Sequence, residues 1–308
     1  MRILFWGTPD FATPSLRALL GEGFEVCGVV TQPDKPAGRR RALQESPVKR
    51  IAREEGLPVF QPETARDEEF REMLALMAPD LSVVVAYGHI LPRSVIELPR
   101  LGTVNIHASL LPALRGAAPI QAALREGLSQ TGISIMQMVP ALDAGPVLLR
   151  AIAPVADDET YGELSARLAE LGALALIEAL ALLELGRARA EPQDDSLATY
   201  ASKVTRETTR LRWSDGCDEV ANAIRAYDPR PGAWGVLDGN DVKLFGARRV
   251  HERGGQPGEV LEASAEGLVV ACGSGAVRIA EVQPAGTRRM SSIDWHRGRG
   301  VAIGAILG

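Results

Sequence analysis

The sequence has few cysteines, few histidines and almost no lysine. Its 308 residues include 3 cysteines and 4 histidines, and 30 of the 34 basic residues are arginines. The cysteines lie far apart, and the sequence contains no C-x-x-C pair and no H-E-x-x-H motif, so it predicts reduced thiols and no bound metal. A sparse, odd set of cysteines is typical of a reducing compartment, and we therefore expect the chain in the cytoplasm.

No hydrophobic run is both long enough and free enough of charge to cross a membrane. The longest apolar stretch, residues 160–186, contains 5 charged side chains, which would be costly in a bilayer. The N-terminus has no small-residue cleavage site, so we expect no signal peptide. The motifs G-x-G-x-x-G, G-x-x-x-x-G-K-[ST] and G-x-S-x-G are also missing. Their absence disfavours dinucleotide-binding, P-loop and α/β-hydrolase functions.

The charge balance is slightly acidic and unevenly distributed. The formal net charge is −5 at pH 7, which by itself argues against a surface coated with positive charge for nucleic acid. Residues 34–53, however, carry a net charge of +5 and residues 203–308 a net charge of +2, whereas residues 1–202 as a whole carry −7. A basic segment of this kind is usually a solvated face, but beside a site it can bind phosphates.

Strand-like and helical segments alternate over the first two thirds of the chain. Runs rich in Val, Ile and aromatic residues lie at 2–7, 24–31, 81–87, 103–107 and 132–138. Helical segments lie between them and begin with recognisable caps, such as Ser46 followed by Pro47. This alternation predicts an α/β fold with a Rossmann-like, mostly parallel sheet that is covered by helices on both faces.

The pattern changes after Gly186. Residues 187–206 lose apolar periodicity, and short strands separated by glycine turns follow from residue 234 onward. Closely spaced short strands of this kind predict a small C-terminal antiparallel β-barrel that is OB-like. We therefore expect an N-terminal catalytic domain at 1–189, a linker at 190–206 and a C-terminal β-barrel domain at 207–308.

One predicted strand ends with an amide and an imidazole. Asn105 and His107 are two residues apart in the strand 103–107, so their side chains point to the same face. They lie at its carboxyl end, where open α/β sheets place their ligand crevice. Asp143, just after the next apolar strand, would complete a set suited to acyl transfer, with an oxyanion donor and a proton carrier. A capped strand end and an unrelated turn aspartate would have the same spacing.

The residue pattern of this segment resembles a sequence motif of the formyltransferase family that uses 10-formyltetrahydrofolate. The matching residues are Asn105-x-His107-x-Ser109-Leu110-Leu111-Pro112, then Arg115-Gly116, then Asp143. The resemblance implies that Asn105, His107 and Asp143 are catalytic. It also implies a folate-binding turn formed by Ser109, Leu110, Leu111 and Pro112. In this family 10-formyltetrahydrofolate is the formyl donor, and no metal is required.

Two further features resemble those family members that act on methionyl-tRNA. They are the segment from Thr31 to Lys49, which contains an arginine cluster, and a C-terminal domain after a linker. The resemblance implies that the acceptor stem of initiator methionyl-tRNA is the partner. The implied tRNA-binding residues are Arg39, Arg40 and Arg41. Further contacts to the backbone of the tRNA acceptor arm would come from Arg248, Arg249, Arg288 and Arg289. We expect a monomer and no membrane association.

Two other functions fit parts of the sequence. An enzyme that formylates a small acceptor such as glycinamide ribonucleotide, or that transfers the group to water, would share the three catalytic residues. It should lack the arginine segment and the C-terminal domain. A catalytically inactive RNA-binding protein would have no reason to retain Asn105, His107 and Asp143 together.

Overall fold

The computed structural model describes residues 1–37 and 42–308, and these fall into two compact units. Unit 1 consists of Met1–Gly116, Gly132–Ala153 and Ser165–Tyr200, and unit 2 consists of Ala117–Thr131, Pro154–Leu164 and Ala201–Gly308. The two units interleave along the chain. The division at 189 and 206 that the sequence predicts therefore stays a prediction.

The first part of the chain alternates strands and helices, as the sequence predicts. The strands are β1 (Arg2–Gly7), β2 (Glu25–Val30), β3 (Lys35–Ala37), β4 (Ala42–Gln44), β5 (Val59–Phe60), β6 (Leu81–Val85), β7 (Thr103–His107), β8 (Arg115–Gly116), β9 (Gln130–Gln137) and β10 (Val147–Pro154). The helices are α1 (Thr13–Gly21), α2 (Pro47–Glu54), α3 (Glu68–Met77), α4 (Arg93–Ile96), α5 (Pro119–Arg125) and α6 (Tyr161–Glu184). Ser46 caps α2, since its hydroxyl accepts a hydrogen bond from the Lys49 N–H.

A seven-stranded sheet has the order β10-β9-β7-β6-β1-β2-β5. The pairs from β7 through β6, β1 and β2 to β5 are parallel, and β9 pairs with β7 in the antiparallel direction. The predicted mostly parallel sheet is thus confirmed. β1 and β6 are buried along nearly their whole length, as expected of strands covered on both faces. In one cluster beside them, Trp6 contacts Tyr87 and Phe70 edge-on.

Unit 2 contains the second sheet. The remaining strands are β11 (Tyr200–Ala201), β12 (Ala233–Leu237), β13 (Asn240–Val250), β14 (Val260–Ser264), β15 (Gly267–Ala271), β16 (Ala276–Pro284) and β17 (Met290–Ser291), and the helices are α7 (Cys217–Ala226) and α8 (Ser292–Arg297). The strand order is β12-β13-β16-β15-β14, with β17 also paired to β16, and every pair is antiparallel. Asp238 and Gly239 form the turn between β12 and β13, both with positive φ, as a two-residue type I′ hairpin requires.

The antiparallel sheet is confirmed, but a closed barrel is not found among the described residues. β12 and β14 are the edge strands and do not pair with each other. Residues 304–308 lie between them. Their backbone exchanges hydrogen bonds with Val260 of β14 and with Val236 of β12. The structure thus shows an antiparallel sheet whose two edge strands do not pair directly, and the segment 304–308 pairs with both of them.

Among the helices that the structure describes, none combines the length and the apolar character that a membrane span needs.

Candidate functional site

The central strand β7 places Asn105 and His107 at the carboxyl end of the parallel strands. Asn105 lies opposite Val84 of β6 and Met136 of β9, and His107 lies opposite Ser134 of β9. His107 is 5% exposed and Asn105 is half-buried. The strand thus presents a partly accessible amide beside an imidazole that is sheltered from water.

The ring of His107 has one nitrogen committed and one facing a carboxylate. Its Nε2 lies 3.0 Å from the carbonyl oxygen of Leu114. A carbonyl oxygen only accepts hydrogen bonds, so the network assigns the hydrogen to Nε2. Nδ1 lies 3.7 Å from Oδ2 of Asp143. Nδ1 is therefore the ring nitrogen left free of that bond, and it faces the carboxylate of Asp143.

Asp143 lies in the turn between β9 and β10, and its carboxylate is anchored. Oδ2 accepts a hydrogen bond from the backbone N–H of Gly116 at 2.8 Å. The Asp143 side chain is 14% exposed. Its φ is 48°, an unusual left-handed conformation for a residue other than glycine. The structure thus brings His107 and Asp143 together, as the sequence predicts, and Gly116 helps to hold them.

The amide of Asn105 has no hydrogen-bond partner within the part of the chain that the structure describes. The side chain is half-buried, so its amide is accessible to a ligand. An unpaired amide beside His107 is suited to the oxygen of a bound formyl group. The residues present are therefore suited to bind a formyl donor.

The predicted folate-binding turn is held by a buried serine of the neighbouring strand. Ser134 Oγ donates to the Ser109 carbonyl at 2.7 Å and accepts the Leu111 N–H at 3.0 Å. Ser109 Oγ itself donates to the Ala113 carbonyl at 2.6 Å. The hydroxyl of Ser109 is thus engaged inside the turn, which leaves the backbone, Leu110 and Pro112 as the groups that can contact a ligand.

Two residues that hold this region were missed at the sequence level. Ser134 is a polar residue inside an otherwise apolar strand, which was a usable signal. Arg150 on β10 donates through Nε to the Leu111 carbonyl at 3.0 Å and through Nη1 to Glu191 at 2.9 Å. No local pattern marks Arg150, because its contacts are distant in sequence.

Arg39, Arg40 and Arg41, the predicted tRNA-binding residues, lie outside the described residues. Next to them, the base of the basic segment is a polar network. Lys49 Nζ donates to Asp34 at 2.6 Å and to Gln61 at 2.7 Å, and Gln61 donates to Asp34 at 2.7 Å. Hydrogen bonds from Lys49 and then Gln61 lower the pKa of Asp34.

The arginines of unit 2 that the sequence singled out differ in availability. Arg249 bonds to Asp218 at 2.8 Å and to Asn222 at 2.9 Å. The guanidinium of Arg289 bonds to Asp228 at 2.9 Å and lies 4.1 Å from the centre of the Phe245 ring. Arg288 is exposed. Arg248 lies 3.9 Å from the carboxylate of Asp158. Three of the four are thus paired within unit 2, although the pair of Arg248 is a long one.

One group among the described residues has the side chains of a metal site. Cys217, Asp218 and His251 present ligand atoms within 4.8 Å of one another, and the Cys217 sulfur lies 3.5 Å from Nδ1 of His251. Asp218, however, is paired with the guanidinium of Arg249 at 2.8 Å. A fixed positive charge at that distance disfavours a second cation, so we assign no metal there.

Comparison with known proteins identifies relatives of the whole chain. The formyl transferase family model matches residues 1–180, and the model of the formyl transferase C-terminal domain matches residues 203–300. The methionyl-tRNA formyltransferase of Pseudomonas paraeruginosa is 47% identical over 100% of both chains. That of Methylococcus capsulatus is 48% identical over 96% of both.

Solved structures show the same fold at lower identity. HypX from Aquifex aeolicus, solved in complex with tetrahydrofolic acid, superposes with a TM-score of 0.65 at 23% identity. The match covers 96% of this chain and 46% of HypX, so this chain spans about half the length of that protein. The matched ranges and the full-length relatives lead to one conclusion. The chain belongs to the formyl transferase family, with both its N-terminal and its C-terminal domain.

Proposed function

We propose that the chain transfers the formyl group of 10-formyltetrahydrofolate to the α-amine of methionine on initiator methionyl-tRNA. The observation that carries the proposal is the pairing of His107 with Asp143 beside the unpaired amide of Asn105. The choice of acceptor is supported by full-length relatives that are called methionyl-tRNA formyltransferase.

The bound formyl donor supplies an electrophilic carbonyl carbon. Asn105 donates its amide N–H to the formyl oxygen, which gains negative charge as the methionyl amine attacks. His107, with Nε2 fixed on the Leu114 carbonyl, uses Nδ1 to stabilise this charge as an imidazolium or to carry a proton. The residues thereby lower the barrier to attack and help the amine to lose its proton.

Asp143 acts on His107 and on the proton balance. Its carboxylate lies 3.7 Å from Nδ1 and keeps the ring oriented. Asp143 also helps to pass the proton from the attacking amine to the nitrogen of the formyl donor that leaves. No step in this scheme calls for a metal ion.

The remaining assignments extend to both substrates. The turn formed by Ser109, Leu110, Leu111 and Pro112 binds the folate mainly through its backbone, and Arg39, Arg40 and Arg41 bind the acceptor stem. Arginine clusters bind phosphates and stack on unpaired bases. We place the protein in the cytoplasm, because its proposed acceptor is a charged tRNA, and we propose that it acts as a monomer.

Replacement of Asn105 by alanine tests the catalytic assignment. Loss of an oxyanion donor commonly lowers kcat by about 10²–10³-fold, and we expect a loss of that size in formylmethionine formation from charged initiator tRNA. Asn240→Ala is the matched control, because Asn240 is exposed at the start of β13 in unit 2. Near-normal turnover by Asn105→Ala would remove this residue from the mechanism.

Replacement of Arg39 by alanine tests the tRNA assignment. We expect a higher KM for methionyl-tRNA and an unchanged KM for the formyl donor, since the two substrates use different residues. A small amine offered in place of the charged tRNA tests the acceptor itself. Faster formylation of the small amine than of methionyl-tRNA would overturn the proposed function.

A further inference from the structure

We propose that Gln193 is a positioning residue that holds the turn carrying Asp143, so that the carboxylate stays opposite His107. The proposal rests on the proposed function, because it gives Gln193 a part in the same formyl transfer. Gln193 belongs to unit 1 but lies in the segment 190–206, which the sequence marks as a linker. No catalytic pattern of the sequence includes it.

The Asp143 turn needs support because its backbone is strained. The φ of Asp143 is 48°, and a non-glycine residue keeps such a conformation only when its surroundings impose it. Gly145 lies so close to β9 that a Cβ atom there would come within 1.7 Å of the Gln137 carbonyl oxygen. The turn is therefore pressed against the sheet on one side and must be held on the other.

The side-chain amide of Gln193 supplies that second support. Nε2 donates to the carbonyl of Asp143 at 2.8 Å and to the carbonyl of Gly145 at 2.6 Å. Both partners only accept hydrogen bonds, so the nitrogen of the amide must face the turn. One side chain thus joins the carbonyls on both sides of Ala144.

The oxygen of the same amide is fixed by a buried arginine. Oε1 of Gln193 accepts from Nε of Arg115 at 3.1 Å and from Nη2 at 2.8 Å. Arginine only donates, so the orientation of the amide is determined from both ends. Gly116, the next residue, donates its N–H to the Asp143 carboxylate. Arg115–Gly116 and Gln193 therefore hold the side chain and the backbone of Asp143 as one assembly.

Gln193 is itself anchored by its neighbour Glu191. The backbone of Glu191 exchanges two hydrogen bonds with Val147 of β10, at 2.8 and 2.9 Å. Its carboxylate accepts from Arg150, which also donates to the Leu111 carbonyl of the predicted folate-binding turn. The segment 191–193 is thus tied both to the Asp143 turn and to the turn at 109–112.

The distance between His107 and Asp143 makes this support important for the rate. At 3.7 Å the two groups are near the limit of a useful ion pair, and a shift of the turn would weaken their interaction. A misplacement of about 1 Å can cost on the order of 10²-fold in rate. Loss of the Gln193 hydrogen bonds should therefore lower kcat more than it affects substrate binding.

The experiment uses Gln193→Glu in the full chain. Glutamate has the same shape and keeps the contact with Arg115, but it places an oxygen against two carbonyls. We expect kcat to fall about tenfold or more while KM for both substrates stays within about twofold. Gln193→Met, which adds no charge, should show the same split. Gln256→Glu, at an exposed position of unit 2, is the matched control and should keep the wild-type kcat.

A double-mutant cycle with Asp143→Asn separates positioning from a general loss of structure. If Gln193 acts through Asp143, Gln193→Glu should lower kcat by less than about twofold in the Asp143→Asn background. Full additivity of the two losses, or a rise in KM with unchanged kcat, overturns the proposal.

Crystal structures of the wild type and of Gln193→Glu give a readout that does not depend on activity. We expect a longer distance between His107 and Asp143 in the variant, and an unchanged turn overturns the proposal. Absence of formylmethionine with the wild-type protein would instead contradict the proposed function and leave this structural comparison intact. If Gln193→Glu does not fold, Gln193→Met carries both measurements.

Discussion

Among the described residues, each unit buries one arginine almost completely, and the two arginines have different surroundings. Arg225 in unit 2 is 5% exposed and donates to the carbonyls of Ala156 at 2.9 Å, Asp157 at 3.2 Å and Leu124 at 3.5 Å. Among the described residues no carboxylate is hydrogen-bonded to it. Burial, and then the nearby charge of Arg249, lower its pKa.

Arg115 in unit 1 is 3% exposed and has a charged partner. Its Nη2 donates to the carboxylate of Asp195 at 2.7 Å, and its Nε and Nη2 donate to Oε1 of Gln193. Burial alone would lower its pKa, but the hydrogen bonds to Asp195 and Tyr200 outweigh burial and raise it. Arg225 thus joins backbone segments, whereas Arg115 supports side chains beside the site.

Replacement of Arg225 should give the largest change in stability. Arg225→Met removes the hydrogen bonds to the carbonyls of Ala156, Asp157 and Leu124 and to Oδ1 of Asn222. Each such hydrogen bond contributes about 0.5–1.5 kcal/mol. We expect the free energy of unfolding to fall by about 3 kcal/mol, measured by urea denaturation. The kcat of the folded fraction should change little. A large loss of kcat without loss of stability would reverse the roles assigned to the two arginines.

Replacement of Arg115 should change the rate more than the stability. Arg115→Met leaves Oε1 of Gln193 without its donors, so the Asp143 turn loses its support. We expect kcat to fall about tenfold to a hundredfold, measured with saturating substrates. Asp195→Asn is the control, because the Asp195 side chain is 81% exposed and exposed ion pairs contribute about 0–1 kcal/mol. Equal losses in both variants would show that the exposed carboxylate governs Arg115.

Tyr87 differs from both arginines, because its hydroxyl is a buried polar group without a partner among the described residues. Its hydroxyl has no hydrogen bond among the described residues, and burial raises its pKa to about 12. Tyr87→Phe removes an unsatisfied group, so we expect the free energy of unfolding to rise by about 1 kcal/mol. A lower urea midpoint in this variant would show that the hydroxyl is paired in solution.

The Asp34 network is the solvent-facing counterpart and should give the smallest effect. The pKa of Asp34 is lowered in the folded chain, so its contribution to stability is present above the unfolded value of 3.8 and is lost as the pH falls through the folded pKa. Asp34→Asn should therefore be slightly less stable than the wild type at pH 7. Thermal denaturation should show the two proteins converging as the pH falls below 3.8. A difference that does not change with pH would assign the effect to the hydrogen bonds alone.

The sequence predicts the parts of the fold that depend on local pattern. The strands of the parallel sheet are marked by runs of Val and Ile, and the Gly239 turn by its residue type, and both are observed. β10 escaped prediction because it is a half-exposed edge strand interrupted by Arg150. The pairing of residues 304–308 with both edges of the second sheet was not predicted, since strand spacing says nothing about what covers the two edges.

The residues of the candidate site also divide into those that the sequence predicts and those that it does not. Asn105 and His107 could be found because a strand places alternate residues on one face. Asp143 was indicated by the resemblance to the family's sequence motif. Ser134 was marked only by its polarity inside an apolar strand, and Gln193 could not be found, because its contact joins residues that are 50 positions apart. The roles of all these residues in catalysis stay predictions for the experiments above.

The segment 304–308 has a consequence for the behaviour of the chain in a crowded solution. Free strand edges offer unpaired N–H and C=O groups on which other chains can add strands and aggregate. In unit 2 the same few residues cover β12 and β14. A single proteolytic cut before Gly304 would therefore expose two edges at once, and precipitation should follow cleavage even if the rest of the sheet stays folded.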